Sequence, residues 1–424
     1  MNASRFVKSE VGLIPEDWTV ENIQNLFQKN EKIKIGPFGS QLKKEYLLPS
    51  GEYCVYGQEN VYKKDFSICY RFLSRERFQF LKSCEIKPGD FVVSTMGTIG
   101  KCAFLPDSIK TGIMDSHLVR MRFNEQVYKP YIEFLFESPF VQEQINKLSV
   151  GGIMDGLSTS IVKQINLLLP KPAEQKRIAT VLADTENLIQ ALKRVLIKNK
   201  DIRKGLLREL LNGEKRLPGY VKPWLKKNLG RSAIIKARIG WQGLTTSEYL
   251  DTGDYYLITG TDFYDGGINW DECHFVSKER FDQDPYIKIQ EQDVLVTKDG
   301  TIGKVAYLDH IPGPGTLNSG VFVIRTKDKE VSQRYLAKVF ISKYFDDFID
   351  SIVAGSTIIH LYQKDIVKFD FYVPPTIEEQ DAICDIIEDL DNEIRSLSMK
   401  LDKYSMLKDG MMQQLLTGKI RLTL

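Results

Sequence analysis

Along this chain the apolar residues form two kinds of pattern, and the pair of patterns occurs twice. About 150 residues of short β-branched and aromatic runs come first, broken by Gly, Pro, Asn and Asp; they predict a strand-rich domain with some helix. A Pro-containing junction then opens a long run with key positions four and three apart: Ile178, Leu182, Thr185, Ile189, Leu192, Leu196, Asn199, Arg203, Leu206 and Leu210. The second half ends on the same rhythm, with Ile383, Ile387, Leu390, Ile394, Leu397, Leu401, Tyr404, Lys408, Met411 and Leu415. A seam of period 3.5 kept over several heptads predicts coiled-coil helices. The polar breaks match (Asn199 with Tyr404, Arg203 with Lys408), and Gly213 and Gly418 stand where a C′ glycine ends a helix. At about 1.5 Å per residue, helices of roughly 40 residues would each be about 60 Å long. Packing inside one domain is the other reading of such a seam. Its recurrence once per globular half favours two helices paired with each other.

The strand-rich halves also repeat in sequence. Ile86-Lys87-Pro88-Gly89-Asp90-Phe91-Val92-Val93-Ser94, then Gly97-Thr98-Ile99-Gly100-Lys101, is answered by Ile289-Gln290-Glu291-Gln292-Asp293-Val294-Leu295-Val296-Thr297, then Gly300-Thr301-Ile302-Gly303-Lys304. The shift is roughly 203 residues and is nearly kept by Ile35-Gly36 with Ile239-Gly240, Tyr53 with Tyr255, and Gly152 with Gly355. Pro170…Glu174-Gln175…Ile178 answers Pro374…Glu379-Gln380…Ile383, and Leu210-Leu211-Asn212-Gly213 answers Leu415-Leu416-Thr417-Gly418. An ordered series of this kind means a duplicated α+β chain. It predicts one domain at 1–171, a helix at 172–214, a second domain at 215–375 and a second helix at 376–424.

Composition narrows the chemistry. A hydrophobic fraction of 42% and no long apolar run describe a globular protein without a bilayer span. Residues 1–18 mix charges with apolar residues and do not read as a signal peptide. Cys54, Cys69, Cys84, Cys102, Cys273 and Cys384 include no C-x-x-C pair, which argues for reduced thiols in a cytoplasmic protein and against disulfides or zinc. The formal charge is only +2, with a basic stretch at 171–216 and a mildly acidic second half, so charge neither supports nor excludes DNA binding. The Gly-Thr-Ile-Gly-Lys runs lack phosphate-loop spacing, and Cys102 and Val305 follow the lysines where a hydroxyl would be needed. Val373-Pro374-Pro375-Thr376 lacks the Asn or Asp and the aromatic of an amino-methyltransferase motif. His117, His274, His310 and His360 have no metal-ligand spacing, and Asp115-Ser116-His117 holds triad residue types as neighbours on a strand, which face opposite ways.

Several motifs carry a family resemblance over essentially the whole chain. Glu10-Val11-Gly12-Leu13-Ile14-Pro15-Glu16-Asp17-Trp18 resembles the opening of type I restriction–modification specificity subunits, and Leu217-Pro218-Gly219-Tyr220…Trp224 the same element restarting. Pro170-Lys171-Pro172-Ala173-Glu174-Gln175-Lys176-Arg177-Ile178-Ala179 is similar to the family's P-x-x-E-Q-x-x-I-A helix entrance. The second entrance carries Asp381-Ala382 where basic residues are usual. The resemblance implies two target recognition domains separated by an antiparallel helical spacer, and no catalytic centre. It further implies double-stranded DNA, two methyltransferase subunits and, where present, two restriction (motor-nuclease) subunits as partners. S-adenosylmethionine, ATP and Mg²⁺ would sit on those partners and none on this chain. A stand-alone bipartite DNA-binding regulator is the alternative, and a coiled-coil scaffold a third reading.

Candidate DNA contacts are polar residues that differ between halves within the repeated frame. Ser94, Thr95 and Met96 stand against Thr297, Lys298 and Asp299; Gln58, Glu59 and Asn60 stand against Thr261 and Asp262. The run Lys63, Lys64, Phe66, Tyr70, Arg71, Phe72, Arg75, Arg77 and Phe78 interleaves basic and aromatic residues, as nucleic-acid surfaces do, or as a solvated face over buried rings does. Lys101 and Lys304 follow Gly-x-x-Gly turns that either present them to phosphate or serve folding alone.

Overall fold

A computed structural model of the chain describes residues 5–149, 156–353 and 360–422. It contains two units, Met1–Lys193 with Lys400–Leu424, and Arg194–Met399. Each unit thus joins a strand-rich body to part of both long helices. The four segments read from the sequence follow chain order, whereas packing divides each helix between the units. The matched Gly152 and Gly355 lie outside the described residues.

The repeated runs build the same sheet twice. In the first unit its order is Lys34–Ile35, Leu118–Met121, Phe91–Ser94, Cys102–Phe104; in the second it is Ala233–Lys236, Val321–Thr326, Val294–Thr297, Val305–Tyr307. Phe91–Ser94 and Val294–Thr297 are buried along their whole length, which is why they read as unbroken apolar runs rather than alternating ones. A second sheet centres on a parallel pair, Tyr53–Tyr56 with Gly112–Met114 and Tyr256–Ile258 with Gly315–Leu317. Tyr53 stacks on Phe78 at 4.2 Å and Tyr255 on Phe281 at 4.4 Å, so these tyrosines hold equivalent places. Asp90 accepts the Lys87 N–H and Arg122, just as Asp293 accepts the Gln290 N–H and Arg325.

Two departures from the repeat matter. Lys34 faces Arg120, and Lys236 faces Val323 at the equivalent point of the hairpin, so strand register sets Gly36 against Arg238 rather than Gly240. The Ile-Gly match is therefore two residues out of register. After the first parallel strand, moreover, the first unit has a helix, Gln58–Lys63, where the second has a hairpin, Phe263–Tyr264 with Gly267–Ile268. The hairpin turns on Asp265 and Gly266, both at positive φ (47° and 77°), as a two-residue turn between twisted strands requires. The first unit has no Asp-Gly there, and its chain coils until Lys64 ends the helix in the left-handed region.

The long helices are Pro172–Leu211 and Ile377–Leu415. Pro172 opens the first where a missing N–H costs no helix bond. Ile178, Leu182, Ile189, Leu196, Ile383 and Ile387 are buried, and Leu192, Ile394, Leu397 and Leu401 are half-buried. In the first unit Ile178 and Leu182 share a core with Met412 and Leu415; in the second, Leu207 and Leu210 share one with Ile383 and Ile387. Start meets end in both, so the helices pair antiparallel within each unit. Burying each such side chain is worth about 1.5–3 kcal/mol.

Candidate nucleic-acid interface

Open sheets tend to bind beyond the carboxyl ends of parallel strands, where loops diverge. In both units three loops gather there. Asp115 N–H donates to Tyr56 O, Thr95 N–H to His117 O and Leu157 N–H to Thr95 O, each at 2.9 Å. The second unit repeats the ties: Asn318 N–H to Ile258 O, Lys298 N–H to Gly320 O and Leu361 N–H to Lys298 O, again at 2.9 Å. The backbone thus forms one platform, built twice.

Its side chains differ between units. In the first, Arg71 reaches Glu59 at 2.7 Å and Asp115 at 3.0 Å, and the Tyr62 hydroxyl donates to Gln58 Oε1 at 3.0 Å while accepting the Thr98 N–H. In the second, Asp299 pairs with His360, and Asn318 Nδ2 donates to the Tyr249 hydroxyl at 2.6 Å. Asp262 is buried under the Thr259 N–H, and burial pushes its carboxyl above the usual range. Arg71 stands in the basic–aromatic run of the sequence, whereas Asp115, Tyr249, Asn318 and His360 come from positions remote from the candidates. The signal available for them was the unlike residue at each repeated place.

The structure sorts the sequence candidates. Gln58, Thr261 and Lys298 lie on the platforms; Thr261 is exposed, and Lys298 lies with its ammonium 5.5 Å from the Phe322 ring. Asn60, Ser94 and Thr95, also candidates for DNA contact, are buried, and the Asn60 and Ser94 side chains are turned to partners inside the unit. Asn60 accepts the Gly57 N–H and donates to Asp65 O and Ile68 O, fixing the helix start. Ser94 Oγ donates to Thr98 O at 2.6 Å and accepts the Lys101 N–H at 3.1 Å; Thr297 does the same for Thr301 and Lys304. With Gly100 N–H and Gly303 N–H also bonded inside their turns, these amides are engaged by the hairpin, not presented to a phosphate. The side chains of Lys101 and Lys304 remain exposed.

Lys101 lines a cleft of about 600 Å³ in the first unit with Lys64, Glu133, Glu137, Glu186 and Lys408. Burial works against the Lys64 ammonium there, but Glu137 and Glu133, at 3.6 and 3.9 Å, outweigh it and raise its pKa. Lys64 is therefore tied down, and Arg71 is neutralised on the platform. Lys63 and Arg75 are exposed, while Phe66 and Phe78 of the basic–aromatic run belong to the core. Among the described residues no group of three His, Cys, Asp or Glu is placed to hold a metal ion. No helix among them is long and apolar enough to cross a membrane.

The E-Q entrances prove to be clasps. Glu174 accepts Trp18 Nε1 at 3.2 Å and Arg421 at 2.7 and 2.8 Å; Glu379 accepts Trp224 Nε1 at 3.3 Å and Arg216 at 2.8 and 3.0 Å. Gln175 accepts the Tyr128 N–H and donates to Pro170 O, as Gln380 does with Ser332 and Pro374. Each arginine stands three residues past its exit glycine, a spacing visible in the sequence but without meaning until the partner was known. Arg421 also holds the Asp17 carboxyl below its ordinary range through its hydrogen bond.

Duplicated bodies with one frame and unlike platforms, sharing two long helices, define a tandem-domain specificity protein of α+β class. A family model described as the type I restriction modification DNA specificity domain matches residues 15–199 and again 242–403. The chain belongs to that family. It is 25% identical over 334 residues to the type I restriction enzyme MjaVIII specificity subunit of Methanocaldococcus jannaschii, covering 74% of this chain and 75% of that one. The MjaIX specificity subunit of the same organism is 20% identical over 440 residues, covering 99% and 97%. The fold is shared with the S subunit of the type I system of M. genitalium (TM-score 0.57, 16% identity, 94% and 96% covered). It is shared also with a specificity subunit from Thermoanaerobacter tengcongensis (TM-score 0.51, 16% identity, 98% and 100% covered).

Proposed function

We propose that this chain chooses the DNA site for a type I restriction–modification enzyme, each unit reading one half of an asymmetric bipartite target. The observation that carries the reading is the pair of unlike platforms on one backbone frame. Each mismatched base pair costs about 1–3 kcal/mol, so a few pairs cannot isolate rare sites, whereas two units on one chain combine their penalties. Because Glu59, Arg71 and Asp115 have no like counterpart in the second unit, the half-sites should differ. The chain itself would hold no catalytic centre. Methyltransferase subunits carrying S-adenosylmethionine, and restriction subunits using ATP and Mg²⁺, would supply the chemistry.

The test is a genome-wide map of N6-methyladenine with and without this gene. Loss of one asymmetric two-block motif is expected. Loss of a palindromic motif, or of none when the purified chain and its methyltransferase are assayed together on DNA, would reject the reading.

Docking of two identical methyltransferase subunits is supported by a matched feature of the long helices. Gly205 and Gly410 are exposed in helix interiors, where a Cβ would meet nothing within 4 Å. Glycine there costs about 1 kcal/mol against alanine, so the fold of this chain alone does not account for it. Three residues earlier stand Ile202 and Leu407, 42% and 49% exposed. A partner backbone approaching each glycine would use both features, once per repeat. Gly205→Leu and Gly410→Leu should each drop one methyltransferase from the complex by native mass spectrometry; retention of both copies in both variants would remove this support.

A further inference from the structure

The segment before the repeated strand has the same start in both units. Ser74 caps the helix Arg75–Phe80 by accepting the Arg77 N–H, and Ser277 caps Lys278–Asp282 by accepting the Arg280 N–H. Arg77 and Arg280 are therefore equivalent, yet their surroundings are opposite. Arg280 is neutralised: its Nε donates to Glu248 at 2.6 Å, and its second nitrogen donates to Gln283 at 3.0 Å. Arg77 has aromatic rings in those places. Its guanidinium lies 3.9 Å from the centroid of Tyr46 and 4.7 Å from that of Phe80, and its one protein acceptor among the described residues is the Gln41 carbonyl. Its Nε is buried without a hydrogen-bond partner among the described residues.

The charge around the two arginines diverges as well. Residues 43–46 and 75–80 hold Lys43, Lys44, Arg75 and Arg77 against Glu45 and Glu76, and both lysines and Arg75 are exposed. The matching stretches of the second unit hold Lys278 and Arg280 against Glu248, Glu279 and Asp282. Phe80 is 64% exposed, so the ring beside the Arg77 guanidinium is itself open to solvent. A cation fixed on a ring without a carboxylate of its own, with exposed lysines beside it of which Lys43 pairs with Glu45 at 3.5 Å, suits an anion that comes from outside. Exposed aromatics among basic residues are the usual composition of a nucleic-acid surface.

We infer that the Arg77–Tyr46–Phe80 patch is a sequence-independent contact for the phosphate backbone of duplex DNA, present in the first unit and cancelled in the second. The inference rests on the DNA-binding reading and adds to it a surface outside the platforms. It makes the first unit the electrostatic anchor and leaves the second to bind through its platform.

The test uses the full chain with its methyltransferase and a fluorescein-labelled duplex of arbitrary sequence, titrated at several salt concentrations. Each phosphate contact contributes about 0.9 to the slope of log K against log salt. Arg77→Gln should lower that slope by about one and weaken binding to all duplexes alike; Arg77→Lys should keep the slope. Arg280→Gln should change neither. Because Arg77 also packs, the exposed pair Lys43→Gln with Lys44→Gln is measured in parallel and should lower the slope by up to about two. Unchanged slopes in both the Arg77→Gln and the double-lysine variants would overturn the inference, as would an equal fall in Arg280→Gln. So would loss of the methyltransferase without a change in slope, which would assign the patch to a protein partner. A wild-type complex whose binding ignores salt would instead sink the DNA-binding reading itself.

Discussion

Replacing Arg421 by Ala is expected to lower the melting temperature of the first unit by roughly 6–20 °C. The reason is the clasp at the first helix entrance. The Glu174 side chain is 4% exposed and receives two hydrogen bonds from Arg421 and one from Trp18. Without the guanidinium the carboxylate is left buried with a single indole donor, and breaking a buried pair in this way costs about 3–5 kcal/mol. For a unit of this size, each kcal/mol moves the midpoint by about 2–4 °C. Adding Glu174→Gln should recover part of the loss, because an amide still accepts from Trp18 while no charge remains buried. Differential scanning calorimetry of the full chain would read both variants. A midpoint within about 2 °C of wild type for Arg421→Ala would show that the clasp is not a stabilising element.

The second large effect is expected at Gly36. A Cβ there would lie 1.7 Å from the Asp115 carbonyl oxygen and 2.4 Å from its carbon, so backbone rather than a side-chain tip must move. Overpacking of this kind costs about 1–3 kcal/mol and sometimes more. It falls on the loop whose Asp115 carboxylate holds Arg71, so Gly36→Ala should weaken both folding and the recognition platform. Gly240, the sequence match of Gly36, would place its Cβ in open space, and Gly240→Ala should stay within about 0.5 kcal/mol of wild type. Denaturant titration of the two variants decides the matter: equal stabilities would mean that the strand registers described above do not distinguish these glycines.

Much of this architecture was legible in the residues because it depends on periodicity. The heptad seam from Ile178 to Leu210 and its copy from Ile383 to Leu415 need only local spacing to be seen. The repeated apolar runs announce buried strands in the same way. The exit glycines Gly213 and Gly418 take positive φ (76° and 70°), a requirement visible in the residue type itself. The candidate site was legible only in outline. Differences between halves at Gln58 and Thr261, or at Thr95 and Lys298, point to the platforms because a repeated frame makes unlike residues conspicuous.

The sequence by itself thus determined the duplication, the α+β class, the paired helices and the family. Only the tertiary structure decided which polar residues face outward and which are held inside. Ser94 and Thr297 looked like candidates for contact and instead brace their turns, because the acceptor and the donor they satisfy lie four and seven residues away, respectively, across a hairpin. Arg77 and Arg280 are the same residue at the same place in the repeat. Their opposite charge environments come from Tyr46 and Glu248, more than 30 residues earlier in each half. A side chain's partner is a matter of long-range packing. Spacing along the chain cannot encode it, because the energy of a buried ion pair or a braced hydroxyl depends on what the fold brings within a few ångströms.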